Sequence, residues 1–187
     1  MENKKSNRLF FKKIKDTDIE KLKSILQNKD LMLIGWGKIY SDDEVNKWLE
    51  KIQNQYSKYG FSYYFIHEIV TENLVGLIGI LPVDIKNIEY IELAYIIKKE
   101  YWGQGYALES GIVAIDFIFN NLNIDKVIAQ ILPENISSKK VVEKLGMTKI
   151  NSYIRIQNGE KKLHSIYILN KECNLKKLNC RDVIKIV

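Results

Sequence analysis

The chain has 187 residues, 46% of them hydrophobic and 28% charged, a size and balance that suit one globular domain with a single sizeable core. Its net charge of +6 comes from lysines scattered along an Ile-, Lys- and Asn-rich sequence, with no dense basic stripe interleaved with aromatics, so nucleic-acid binding is not expected as the main function. The longest apolar runs, such as LVGLIGIL at 74–81, fall far short of the roughly 20 residues of a membrane span, and the opening MENKK lacks a signal peptide's apolar core; a cytoplasmic protein with no membrane partner is expected.

RLFFKKI at 8–14 reads as a first strand. Asp16 or Thr17 can cap a helix over 18–28, where Ile19, Leu22, Ile25 and Leu26 repeat at helical spacing. A loop with Gly35, Trp36 and Gly37 follows, and SDDE at 41–44 is a capping box that opens a second helix through about Tyr59, with Val45, Trp48, Leu49 and Ile52 as its apolar stripe. Three strands come next, at 62–70, 74–83 and 88–97, joined by short polar turns as in an antiparallel meander. A helix from about Gly105 to Asn120 carries Ile112, Ile115, Phe117, Ile118 and Phe119, a pattern too apolar all round for a surface helix, so it is expected to be largely buried.

KVIAQIL at 126–132 is a strand leading into a short helix with Gly146 as its C′ residue. Two further strands flank Asn158-Gly159, a type I′ hairpin signal. The order β-α-α-β-β-β-α-β-α-β-β makes an α+β, mixed-sheet domain spanning 1–187, with a core at about 8–169 and a polar tail at 170–187 that can add a strand at DVIKIV. Cys173 and Cys180, seven apart in that tail, read as free thiols. His67 and His164 have no Cys or His company, so no metal is expected.

Chemistry concentrates at the strand–helix junction EYWGQGYALES, residues 100–110. Gly103 and Gly105 let a ligand approach bare backbone, and a helix starting there offers unpaired N–H groups to an anion. On its own the stretch is equally a tight turn. No GK[ST] follows, which excludes a nucleotide-hydrolysing P-loop, and GQGYAL has Leu108 where a dinucleotide fold needs its third glycine.

About 28 residues on stands LPENISSKKVVEKLGM, and the two elements together resemble the GNAT superfamily of acyl-CoA N-acyltransferases, in particular its RimJ/RimL-like ribosomal-protein N-acetyltransferase branch. The W-G-x-G-Y-A turn of that branch is written here Trp102-Gly103-Gln104-Gly105-Tyr106-Ala107. The N-x-x-S-x-[KR]-V-x-E-K-L-G-[FM] element is Asn135, Ser138, Lys140, Val141, Glu143, Lys144, Leu145, Gly146 and Met147. Trp102 stands where the wider superfamily starts its turn with Gln or Arg; an aromatic is common in this branch. The resemblance covers about 8–169.

It implies a GNAT-type mixed, mostly antiparallel sheet flanked by helices, and acetyl-CoA as co-substrate with an amine as acceptor. The donor would lie in a V-shaped opening between the strands holding LAYII and VIAQI. The backbone of Tyr95, Ile96 and Ile97 would pair with the pantetheine arm, and the amides of Gly103, Gln104, Gly105, Tyr106, Ala107 and Leu108 would hold the pyrophosphate. Asn135 would bond the pantetheine region, and Lys140 would either approach a CoA phosphate or stay solvated. Glu92 is the candidate base, with Glu89 the alternative if the register differs and surface charge the plain reading of either. Ser138 would protonate the departing sulfur or merely cap its helix, and the Ile97 N–H would face the oxyanion. Tyr106 is expected to pack, while Trp36 and Tyr40 either border the acceptor pocket or belong to core or lid. The acceptor would be a protein N-terminal α-amine or a small-molecule amine, taken by a monomer or homodimer. A GNAT-like module that binds acetyl-CoA or a small ligand without turnover is the alternative.

Overall fold

The computed structural model describes residues 1–172 apart from Trp36 and Asn158. Among the described residues seven strands form one sheet in the order β1-β2-β3-β4-β5-β7-β6. Strand β1 (Leu9–Lys13) is followed by α1 (Ile19–Leu26), α2 (Lys29–Gly35) and α3 (Asp42–Tyr59). Then come β2 (Tyr63–Glu68), β3 (Leu74–Ile85) and β4 (Ile88–Ile97), the expected antiparallel meander, which β1 extends at its outer edge. Helix α4 (Tyr106–Asp116) leads to β5 (Lys126–Ile131), α5 (Ile136–Lys144) and the hairpin β6 (Thr148–Gln157) and β7 (Glu160–Asn170). Only the β4–β5 pairing is parallel. This is the mixed, mostly antiparallel sheet flanked by helices that the sequence resemblance implies.

Alternating side chains of the central strands feed two cores, one on each face. Phe65, Leu77 and Ile96 pack with Leu22, Leu26, Val45 and Ile52 of α1 and α3. Tyr64, Ile66, Ile78 and Leu93 pack with Ala114, Ile115 and Val142 of α4 and α5. Burial of each such aliphatic side chain stabilises by about 1.5–3 kcal/mol, so the helices are held to the sheet and not by propensity alone. The capping box of α3 forms as the sequence predicts: Glu44 N–H donates to Ser41 Oγ at 3.4 Å, and Ser41 N–H to Glu44 Oε2 at 3.0 Å. Gly60, with φ of 81°, closes the same helix.

Four readings of the sequence change. The segment read as a loop contains α2, capped by Asn28, whose Oδ1 accepts the Leu31 N–H at 3.2 Å. The run LMLI shows no polar spacing to announce a helix, yet Leu31 and Met32 sink into the core while Leu33 and Ile34 stay exposed. A 3-10 turn at Asp16–Asp18 leads directly into α1, and no aspartate or threonine side chain caps it: Asp18 turns back to accept the Lys15 N–H. Ile112 of α4 is exposed and Phe117 half-buried, because the helix covers the sheet with only one flank. Met1 is buried against the β1 core, so the packed body starts before residue 8. The hairpin residue Asn158 and the tail beyond 172, with Cys173, Cys180 and DVIKIV, lie outside the described residues. None of the described helices is long and apolar enough to cross a membrane.

Candidate active site

Strands β4 and β5 touch at a single bridge, Glu92 with Ile128, and separate beyond it. On its other edge β4 is fully paired with β3, from Ile88 to Ile97. Lys98 N–H donates to the Val75 carbonyl at 2.9 Å, and Val75–Lys98 is the next pair of that register. Antiparallel pairing alternates, so Ile96 turns its peptide groups to β3, while Tyr95 and Ile97 turn theirs to the open edge. The expected three-residue backbone contact therefore loses Ile96. The Ile97 carbonyl accepts the Trp102 indole N–H at 2.6 Å, which ties the following loop to the strand.

The separation opens a cleft of roughly 170 Å³ lined by Glu92, Tyr95, Asn135 and Ser138, which the fold brings together from β4 and α5. Glu92 is 6% exposed. Burial pushes its carboxyl above the usual glutamate range, opposed by Arg155, by the hydrogen bond from Gln130 and by Lys51. Glu89, the alternative candidate, lies three residues away near the β3–β4 turn, exposed and outside the cleft lining.

Asn135 caps α5: its Oδ1 accepts the Ser138 N–H at 3.0 Å. That leaves its Nδ2 as the group it can offer a ligand. With the cap supplied by Asn135, the Ser138 hydroxyl has no hydrogen bond among the described residues, and its helix-capping reading falls away. Tyr95 crosses the cleft, donating from its hydroxyl to the Ser138 carbonyl at 3.2 Å; burial pushes this phenol up to about 12. Lys140 is exposed and outside the cleft lining. Tyr40 packs half-buried against the α1–α3 core, and Trp36 lies outside the described residues.

The 102–108 loop sits at the C-terminal end of β4, beyond the cleft lining. Gly103 and Gly105 have φ of 75° and 83°, so each needs glycine for its backbone conformation alone. A Cβ on Gly103 would meet nothing within 4 Å, which leaves the approach to the loop open. Among the described residues no hydrogen bond takes up the N–H groups of residues 103–108, the free donors of the α4 N-terminus. Tyr106 is buried as expected. Its hydroxyl donates to Glu68, and its ring stacks under Arg8 at 4.3 Å. Arg8 is held in turn by Glu109 at 2.5 Å.

The family model for the Acetyltransferase (GNAT) domain matches residues 8–148. The chain belongs to the GNAT acetyltransferase family. With it comes the enzyme class, an acetyl-CoA-dependent N-acetyltransferase. The chain is 28% identical to the uncharacterized protein YkkB of Bacillus subtilis over 142 residues, 76% of this chain and 83% of that protein. It is 27% identical to the uncharacterized N-acetyltransferase p20 of Bacillus licheniformis over 100 residues, 54% of this chain and 56% of that one. A GNAT-family acetyltransferase from Bacillus anthracis shares its fold with a TM-score of 0.75 at 21% identity, covering 90% of this chain and 98% of that one.

In this GNAT acetyltransferase the sequence reading missed most of the cleft. Register places Glu92, Gln130, His164, Tyr153 and Arg155 on one face of β4, β5, β7 and β6. Gln130 Nε2 donates to Glu92 Oε2 at 3.0 Å, and the Tyr153 hydroxyl donates to Gln130 Oε1, which fixes the amide's orientation. His164 is 3% exposed and lines the cleft. Its Nδ1 donates to the Lys162 carbonyl at 3.1 Å, so Nε2 keeps a lone pair, and burial holds the imidazole below its usual range. Trp48 and Tyr63, with ring centroids 4.4 Å apart, form the α3-side wall together with Lys51. Gly79 makes room for Tyr63, because a Cβ there would fall 2.6 Å from its ring. The only signal available beforehand was period-two alternation within each strand, and it does not say which strands are neighbours.

Proposed function

We propose that the protein transfers the acetyl group of acetyl-CoA to a primary amine by direct attack in a ternary complex, as a member of the RimJ/RimL-like branch. The observation that carries this reading is one buried carboxylate, Glu92, at the bridge where β4 and β5 part, in the same cleft as Ser138. Acetyl-CoA fits the residues on two grounds: the free N–H groups of 103–108 suit a pyrophosphate, and the open edge at Tyr95 and Ile97 suits the amides of a pantetheine arm. As substrate it supplies the acetyl group as a thioester.

Glu92 takes the proton that the amine loses as its nitrogen bonds to the carbonyl carbon, directly or through water. The Ile97 N–H faces the developing oxyanion. As the carbon–sulfur bond breaks, the Ser138 hydroxyl gives the sulfur its proton and is reprotonated from solvent. Asn135 Nδ2 and the Tyr95 backbone hold the arm. The raised carboxyl pKa brings the base closer to neutral pH, where proton transfer from an amine is most effective.

Release of CoA thiol, followed across a panel of N-terminal peptides, polyamines, aminoglycosides and amino acids, tests the reading. Turnover with at least one amine, reduced strongly when Glu92 and Ser138 are both replaced, is expected. Silence across the panel, or a double variant as active as the parent, would sink it.

A further inference from the structure

The cleft carries more positive charge than amine transfer requires. Lys51 of α3 and Arg155 of β6 line it from different elements, whereas Glu92 is its sole carboxylate among the described residues. Neither cation forms an ion pair among the described residues, although nine other pairs do form. Both are close enough for Glu92 to feel them. The surrounding polar groups do not neutralise them: Gln130 is committed to Glu92 and Tyr153 to Gln130, and burial holds the His164 imidazole below its usual range. A half-enclosed guanidinium with no anionic partner suits a ligand oxyanion, which its planar fork can hold with two parallel hydrogen bonds.

The geometry points to an acceptor that carries an oxyanion, a carboxylate or phosphate, alongside its amine, with the amine at Glu92 and the oxyanion held by Arg155 and Lys51. The inference rests on the acetyl-transfer reading of the same cleft and names its substrate class. Such an acceptor adds no net charge to the cleft and sets its cation against Glu92 and its anion against the two basic residues. A polyamine would instead add positive charges where two already stand. Trp48 and Tyr63 supply an apolar wall between the charged ends.

Matched pairs of small amines test this: lysine against lysinamide for a carboxylate, phosphoethanolamine against ethanolamine for a phosphate, with spermidine as the polycation. Initial rates of CoA-thiol release should favour the anionic member of at least one pair by about 10- to 100-fold in kcat/KM, as expected for a charged hydrogen bond. Arg155→Gln and, separately, Lys51→Gln should shrink that ratio mainly through KM, with melting curves confirming that each variant folds. Calorimetric titration of the same compounds, without acetyl-CoA, reads binding apart from chemistry. Arg155-dependent binding of an anionic amine with no turnover would overturn the acetyl-transfer reading and keep this one. Turnover that ranks spermidine first, or a ratio unmoved by both variants, would overturn the oxyanion assignment and keep acetyl transfer.

Discussion

Replacing Glu92 by glutamine keeps the side chain's shape and the oxygen that Gln130 Nε2 reaches, and removes its ability to take a proton. No second carboxylate lines the described cleft to substitute for it. General-base assistance is worth about 10²- to 10⁴-fold, which at ~1.4 kcal/mol per decade is about 2.7–5.5 kcal/mol of barrier. CoA-thiol release with a fixed amine, followed as kcat/KM against pH, should therefore fall by that factor. The parent should show an acid limb with an apparent pKa above the ordinary glutamate value of 4.5, and the variant should lack it. Stability should move the other way. Burial raises the folded-state pKa, so the folded chain holds this proton more tightly than the unfolded chain does. Stability is lost as pH rises from 4.5 through the folded pKa, by about 1.4 kcal/mol for each pH unit that separates the two. The glutamine variant should melt with the parent below pH 4.5 and at a higher temperature once pH exceeds the folded pKa. A variant that loses less than about tenfold in activity, or melts lower at pH 8, refutes the assignment of Glu92 as a buried general base.

Gly105→Ala and Gly60→Ala should each destabilise by about 1–2 kcal/mol, since both residues have φ above 80° and a Cβ at either makes no close contact. Only Gly105→Ala should also weaken acetyl-CoA binding in a thermal-shift titration; equal binding by the two variants would remove the loop from the donor site. Acetyl-CoA at 100 times its Kd should raise the parent's stability by about 2.7 kcal/mol, and an unchanged Tm at millimolar donor would contradict donor binding. Asn135→Ala should lose about 0.5–2 kcal/mol with the α5 cap, whereas Asn135→Asp keeps the cap and loses the amide donor. A rise in the KM for acetyl-CoA with Asn135→Asp at unchanged Tm separates the two roles. Tyr153→Phe frees the Gln130 amide to turn away from Glu92, so the acid limb should move to higher pH; an unmoved limb would show that Tyr153 does not position the base.

What was legible beforehand is what a few consecutive residues settle. Ser41 and Glu44 satisfy each other's backbone within one turn, and Gly103 and Gly105 take a backbone conformation that side chains resist. The 135–147 element, which together with the glycine turn carried the family resemblance, was legible for the same reason: its groups span one capped helix and the turn that ends it. Helix α2 was missed because burial of Leu31 and Met32, not local spacing, holds it. Most of the cleft was also out of reach. Gln130 lies 38 residues from Glu92 and Tyr153 lies 23 from Gln130, and their meeting depends on how β4, β5, β7 and β6 are ordered and registered. A one-residue slip in any of those pairings would turn the polar row to the opposite face. So the sequence by itself determined the capped helices, the glycine turn and the motif that marks an acetyltransferase. Only the tertiary structure put Glu92 inside the cleft and Glu89 outside it, left the Ser138 hydroxyl without a bond among the described residues and lined the same cleft with Arg155 and Lys51. Those outcomes depend on which strands become neighbours, and non-local pairing, not any short run of residues, carries that information.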